Sequence, residues 1–469
     1  MRIPLLVSRP CALGFALLAI AGPLLGALPE VTPGSKPFTI KVSAGTVEID
    51  GQSVSVQPTT VTLAPQKSEN KSVTAMTPDN YNPAWDNWLP WPGQNPKKNK
   101  NGAITYAPRS DENGVLILGQ PYRQYPLDSI VVTSEDGAKT FVQGEDYRVF
   151  ELSGQVANLD NGLGQPGVGK VKVRYQEVLQ RLDLIQVDTQ GKVSVKEGKS
   201  RFVCPYLPEP NQGCAPLAGV YLAPWQSANE PLNAEFILPI DAQDPVAPVN
   251  PDAVAQTRAK LEKGEPVSIA YMGDSLTLGA EAGQWWSDDT KHWRGRFQHT
   301  LKARYPDADI SEIKAWQGGK GTEFGLQALK QTVLPAKPDL LIIMMGINDA
   351  DGPSDGSRAK VDHQLYKQHI EDIVLAARQA DIEVILMTSM QPYPMKPGGH
   401  ADRWPDYVSA QHELATKHGV GLADTYAEWL NLQHRGIPPY SQLHNWNNHP
   451  GEFGHGVMAD VPLRFFPGN

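Results

Sequence analysis

Cysteine is almost missing, with 3 in 469 residues. That excludes a small disulfide-stapled scaffold, and a chain this long can bury a core without staples. A basic surplus is missing too. The 42 Lys plus Arg are outnumbered by 51 Asp plus Glu, for a net charge of −9. No broad cationic face is therefore on offer to release counterions from a nucleic acid, and no nucleic-acid partner is expected. Beyond residue 28 no apolar run is long enough for a bilayer span, which takes about 20 residues. Glycine and proline are plentiful instead, at 42 and 41 residues. Their share stays below the roughly 25–30% of low-complexity chains, so many turns and short strands are expected in a folded protein. Length alone suggests two or three domains at roughly 150 residues each.

The one long apolar run stands at the start. Met1-Arg2 and Arg9 are positive, Cys11 to Leu28 is almost wholly apolar, and Pro23 breaks it. Small residues at Ala19-Ile20-Ala21 and Leu25-Gly26-Ala27 suit cleavage. Residues 1–27 therefore read as a secretory signal, which implies a secreted or periplasmic protein with no stable membrane insertion once it is removed. Cys204 and Cys214 then remain. In an oxidising compartment a disulfide across the intervening Pro- and Gly-containing loop is expected; two free thiols are the alternative, and zinc has little support without a nearby His.

Residues 36–243 read as a β-rich, sandwich-like accessory region, in one or two small modules. Apolar alternation marks Phe38–Val42, Gly45–Ile49, Ser129–Val132, Tyr147–Phe150 and Lys170–Tyr175, with Asp50-Gly51, Asp136-Gly137 and Asn161-Gly162 as turn signals. Trp85, Trp88 and Trp91 sit in a Pro/Asn-rich stretch, where anchoring a loop is favoured over a sugar platform. Gln180–Asp188, Gly191, Gly198 and Pro216–Tyr221 together resemble a β-module of phage tail, baseplate and bacterial surface proteins. That resemblance implies attachment or assembly and no chemistry.

A Pro-rich linker, 244–251, separates this region from residues 252–469, where the pattern changes. Strand runs at 267–272, 310–315, 339–345 and 382–387 alternate with helical periods at 252–263, 324–334, 357–379 and 410–418. Such alternation predicts a parallel sheet covered on both faces, with ligands at the carboxyl ends of its strands. The first strand ends in Gly273-Asp274-Ser275, where a glycine allows a tight turn and a serine follows as a candidate nucleophile. Next come a glycine turn at Trp316–Thr322, then Gly346-Ile347-Asn348-Asp349, and last Asn447-Asn448-His449-Pro450.

These four blocks, in this order, resemble the SGNH (GDSL-type) hydrolase superfamily. The resemblance implies a flavodoxin-like α/β/α sandwich and carboxylic-ester hydrolysis. It makes Ser275 the nucleophile and His449 the general base, with the Ser275 N–H, the Gly319 N–H and the Asn348 side chain as oxyanion donors; Gly318 is the alternative to Gly319. A histidine with a near-neutral pKa suits proton exchange with a serine, and fixed N–H donors suit a developing oxyanion. No cofactor or metal is implied. The family usually places Asp three residues before the histidine, where this chain has Trp446. The Trp446 carbonyl, a carboxylate from elsewhere, or a plain Ser–His dyad are the options. The expected substrate is an acylated small molecule or polysaccharide, with O-acetyl groups on carbohydrate preferred because no apolar lid segment is evident. A glycan O-acetyltransferase using the same residues, or a non-catalytic surface protein, are the competing readings.

Three further patterns carry less. Gly352–Gly356 matches G-x-S-x-G, but Pro353 and its polar neighbours deny Ser354 the strand-to-helix elbow. Gly162–Gly167 matches G-x-G-x-x-G with no helix after it, so a turn explains it. His444, His449 and His455 lack the spacing and acidic company of a metal site, and His455 reads as a supporting or surface histidine. Asp274 is expected to brace the nucleophile loop. Trp285, Trp286 and Trp293 either line the site or pack the domain.

Overall fold

The computed structural model describes residues 27–81, 111–115, 123–150, 154–241, 243–283, 289–352, 358–394 and 400–468. All but the last residue of the signal segment, together with Trp85, Trp88, Trp91, Trp285, Trp286 and Ser354, lies outside them.

The N-terminal half is β-rich, and its paired strands run antiparallel. Asp50 and Gly51 join the hairpin Gly45–Ile49/Gln52–Val56 with φ of 50° and 76°, the positive-φ pair that a two-residue hairpin turn requires. Strand Lys170–Val178 pairs along its whole length with Ser68–Met76, a strand whose polar sequence gave little sign of itself. A four-stranded sheet is centred on Arg181–Asp188 and Cys214–Leu222. Its two faces feed different cores. Ile185, Val187, Val220 and Leu222 pack with Val31, Ile40 and Val56, whereas Leu182 and Tyr221 join the core that continues into the C-terminal half. Arg181 and Asp183, two apart and so on one strand face, form a fully buried bidentate pair with both contacts at 2.8 Å. Arg181 Nη2 also donates to the Ala64 carbonyl, and Asp183 accepts from the Gly198 N–H, so the pair ties three segments together. The turn at Gly162–Gly167, with φ of 99° at Gly164, is a turn and no phosphate loop.

The C-terminal half is a five-stranded parallel sheet with strands β1 (Val267–Gly273), β2 (Ile310–Trp316), β3 (Leu340–Met344), β4 (Glu383–Met387) and β5 (Gly421–Ala423) in the order β2-β1-β3-β4-β5. That is the flavodoxin-like order of an α/β fold, and its switch point lies between β1 and β3. Successive side chains of β1 face opposite helical layers. Tyr271 packs edge-on against Trp293 and Phe297 of α1 (Trp293–Arg304), with ring centroids 5.7 and 6.3 Å away. Met272 lies on the side of α2 (Thr322–Ala328), where Gly325 lets α2 approach Met272, Met345 and Ile373. The long helices α3 (His363–Gln379) and α4 (His400–His418) complete that layer, and α5 (Glu452–Leu463) packs on α1. Trp293 is thus a core residue.

Segment 244–251 is held along the C-terminal half. Val249 and Leu422 exchange backbone hydrogen bonds, Val246 N–H donates to Glu428, and Asn250 donates to the carbonyls of Ala415 and Val420. Cys204 and Cys214 are unbonded, against the expected disulfide. Cys204 is buried with φ 46° and its thiol meets the Gln442 carbonyl, while Cys214 is only partly covered on its strand. Burial pushes the Cys204 thiol up to about 12, which keeps it protonated and inert.

Candidate active site

Ser275 stands one residue beyond β1, after Asp274, and starts a single helical turn, Ser275–Leu278. Gly273 is required there, because a Cβ would lie 1.9 Å from Thr277 Oγ1. Asp274 caps the turn by accepting from the Leu276 N–H at 2.9 Å, and its other oxygen accepts from Asn348 Nδ2 at 3.1 Å. Burial pushes the Asp274 carboxyl up to about 7. Its geometry is that of a brace between the nucleophile turn and Asn348.

The Ser275 hydroxyl lies 2.9 Å from His449 Nε2, across 174 residues of sequence. The His449 loop is built around Asn445, whose side-chain oxygen accepts from the N–H groups of Asn447, Asn448 and His449 at 2.8–3.0 Å. The His444 N–H closes the loop onto the His449 carbonyl at 2.8 Å.

At the glycine turn, Asp349 accepts from the backbone and hydroxyl of Thr322 and so fixes the start of α2. A Cβ on Gly318 would lie 3.9 Å from Ser275 Cβ, whereas Gly319 has φ 72° and faces open space. Gly318 thus stands beside the nucleophile, and the left-handed Gly319 turns the following backbone. Asn348 Nδ2 also donates to the Lys320 carbonyl at 3.1 Å, which ties β3's end to this turn. A cavity of about 620 Å³ opens next to it, lined in part by Trp316, Gln317, Gly319, Lys320, Phe324 and Asn348.

Trp446 supplies no acid. Its φ is 50°, and its ring is buried edge-on against Phe202 of the N-terminal half, 5.3 Å away. The carboxylate beside His449 is Glu281, six residues after the nucleophile. Its Oε1 is 3.8 Å from His449 Nδ1, longer than a hydrogen bond but close enough for strong electrostatic coupling. Its Oε2 meets His444 Nδ1 at 3.1 Å. Burial alone would push the Glu281 carboxyl up, but the two imidazoles, His444 foremost, outweigh that and hold it below the usual carboxylate range. Glu281 has φ 65°, a strained left-handed backbone for a non-glycine residue. His455 holds that turn. It accepts from the Trp293 N–H at 3.3 Å and donates to the Ala280 carbonyl at 3.2 Å. Burial drops its pKa to about 3, so it is neutral and structural.

The site therefore joins Ser275, His449, Asn348 and the Gly318–Gly319 turn, the residues singled out in the sequence. Sequence reasoning misses Glu281, His444 and Asp111, whose carboxylate lies 3.4 Å from His444 Nε2. Nothing in the spacing of a lone Glu after Gly279 marks it, and the sequence offers His444 only as a candidate metal ligand.

A serine and imidazole in contact at the carboxyl end of a central parallel strand, beside an amide and a glycine turn, define a serine-hydrolase type of site on an α/β/α sandwich. Residues 271–457 match the GDSL-like Lipase/Acylhydrolase family model, and the C-terminal part of the chain is a GDSL-like domain, of the carboxylic-ester hydrolase class. No curated protein matches the chain. Among solved structures, the acetylxylan esterase of Geobacillus stearothermophilus is 22% identical, with 43% of this chain and 95% of that one covered at a TM-score of 0.38. An alpha/beta hydrolase enzyme from the metagenome of Lake Arreo, Spain, is 20% identical over 43% of this chain and 94% of that one, with a TM-score of 0.37.

Proposed function

We propose that the protein is an exported serine esterase that removes O-acetyl groups from carbohydrate through an acyl-enzyme on Ser275. The observation that carries this is the 2.9 Å contact between the Ser275 hydroxyl and His449 Nε2, with Glu281 behind the ring. Glu281 favours the tautomer with its proton on Nδ1, which leaves Nε2 as the base. Ser275 Oγ attacks the ester carbonyl carbon as its proton passes to Nε2. The oxyanion is taken by the N–H of Ser275, by an N–H of the Gly318–Gly319 turn and by Asn348 Nδ2, which exchanges the Lys320 carbonyl for substrate. As the first residue of its helical turn, Ser275 has no intrahelical acceptor for that N–H. The C–O bond of the leaving alcohol then breaks, and the alcohol takes the proton from Nε2. Water attacks the acyl-serine, gives one proton to His449, and collapse releases the acid while returning that proton to Ser275.

The carbohydrate preference rests on the neighbouring cavity. Its lining includes the partly exposed Trp316 and Phe324 among amides and lysines, a mixed polar and aromatic surface that suits a sugar better than an acyl chain. Export rests on the N-terminal apolar leader, and no helix among the described residues is long and apolar enough to cross a membrane. The test is release of 4-nitrophenol from its acetate ester, labelling by a fluorophosphonate, and acetate release from a panel of acetylated polysaccharides. Wild type is expected to do all three and Ser275→Ala none. A wild type that is neither active on the acetate nor labelled, or a fully active Ser275→Ala, refutes the assignment.

A further inference from the structure

The N-terminal half reaches the catalytic histidine through a chain of buried charges. Asp111 lies outside the GDSL-like domain, and its side chain is 5% exposed. Its carboxylate stands 3.4 Å from His444 Nε2, while His444 Nδ1 is 3.1 Å from Glu281 Oε2. Glu281 in turn faces His449 Nδ1, and His449 faces Ser275. Five side chains thus form one line from the β-rich half to the nucleophile. Both ring nitrogens of His444 face carboxylates, Nδ1 within hydrogen-bond distance and Nε2 at ion-pair distance, a placement that favours the doubly protonated imidazolium.

We propose that Asp111 is a positioning residue of the esterase: acting through His444, it fixes the Glu281 carboxylate against His449, so that the β-rich half is part of the catalytic unit. The proposal rests on the esterase reading above. Three observations support it beyond the distances. Asp111 is itself held, accepting from the N–H groups of Asn113 and Val115 at 2.8 and 2.9 Å, with Arg201 3.9 Å away. The same half of the chain grips the histidine loop elsewhere, through Phe202 on Trp446 and through Gln442 Nε2 donating to the Pro205 carbonyl at 2.9 Å. Electrostatics agree: burial would lower the His444 pKa, but Asp111 and Glu281 outweigh it and raise it to about 9.

The chemistry explains why a second carboxylate is useful. A His444 cation paired with Glu281 alone would draw on that carboxylate and weaken its hold on His449. Asp111 takes up part of the His444 charge on the far side, leaving Glu281 able to stabilise the imidazolium that forms on His449 when Ser275 attacks. The groups facing His444 are thus Glu281 from the nucleophile loop and Asp111 from the β-rich half, with Arg201 and Glu112 behind Asp111.

The test uses the full-length protein with 4-nitrophenyl acetate. Asp111→Asn is expected to lower kcat on the order of tenfold with KM within about twofold, because the interaction strengthens in the transition state. Glu112→Gln, which touches Arg201 and not His444, is expected to keep both constants. Nitrogen-15 histidine spectra supply a readout independent of turnover: His444 is expected to stay doubly protonated to about pH 8 in wild type and to titrate lower in Asp111→Asn. Asp111→Glu is expected to restore part of kcat. An active wild type with an undiminished Asp111→Asn kcat, or an unmoved His444 titration, overturns the relay alone. So does a drop shared equally by Glu112→Gln, which would mark a general loosening of the two halves. A wild type that neither turns over ester nor reacts with fluorophosphonate overturns the esterase reading, and the relay falls with it.

Discussion

Replacing Glu281 by Gln tests the least expected member of the site with little change of volume. The carboxylate is buried and sits 3.8 Å from His449 Nδ1. Unit charges at that separation interact by about 4 kcal/mol at an effective dielectric near 20. That term exists only while His449 is an imidazolium, so it lowers the barrier without strengthening ground-state binding. His444 occupies the other carboxylate oxygen and draws off part of the field; if half remains, about 2 kcal/mol, the loss is roughly 30-fold in kcat. A Gln amide adds a second fault. With its N–H turned toward Nδ1 it favours the tautomer protonated on Nε2, which cannot accept the Ser275 proton, and this kind of fault reaches on the order of 10⁴-fold. Stopped-flow hydrolysis of 4-nitrophenyl acetate should therefore show kcat lower by about 30-fold to 10⁴-fold with KM nearly constant. A folded Glu281→Gln protein whose kcat stays within about threefold of wild type would refute the coupling of Glu281 to His449.

Two predictions concern stability. His444 has a folded pKa raised to about 9 from the ordinary 6.5, so its contribution is complete below pH 6.5 and is lost as pH rises through 9. Thermal scans should show wild type losing up to about 3 kcal/mol over that interval, and His444→Gln should lack that part of the slope; equal slopes would refute the assignment. In the β-rich half, Arg181→Met strands the fully buried Asp183 carboxylate and should cost about 3–5 kcal/mol in urea unfolding. The double variant Arg181→Met/Asp183→Leu should recover most of it, and a single variant as stable as wild type would show that the pair is not isolated from water.

The C-terminal fold was legible because its strands are buried on both faces. Val267–Met272, Asp339–Met345 and Ile382–Met387 are nearly continuous apolar runs, and the structure places β1, β3 and β4 there within a residue or two. Edge and short elements were not. Ser68–Met76 has mostly exposed or half-exposed side chains, so its place in a sheet is fixed by nine paired positions with Lys170–Val178 and by no hydrophobic pattern of its own. Helix α1 reads as polar, with six basic or amide side chains, yet Trp293 and Phe297 seat it on Tyr271. The disulfide expectation failed for a physical reason. Cys204 turns inward beneath the histidine loop, against Gln442 and Gly451, while Cys214 begins a strand, so sequence proximity did not become spatial proximity.

The acid of the site was illegible for a different reason, because what must be maintained is a carboxylate near His449 Nδ1 and many backbone routes deliver one. In this chain the route runs through the nucleophile loop. The left-handed φ of 65° at Glu281 aims its side chain back under the histidine, and His455, neutral and buried, anchors the preceding carbonyl. Freed of the acid, position 446 is occupied by a tryptophan that docks on Phe202 and so ties the histidine loop to the β-rich half. A carboxylate arriving from this direction also exposes its second oxygen away from His449, and that oxygen is the one His444 uses. The position of Glu281 and the involvement of the N-terminal half thus follow from one another. An orienting acid on the nucleophile loop keeps its second oxygen buried, and His444, backed by Asp111, is placed to satisfy it.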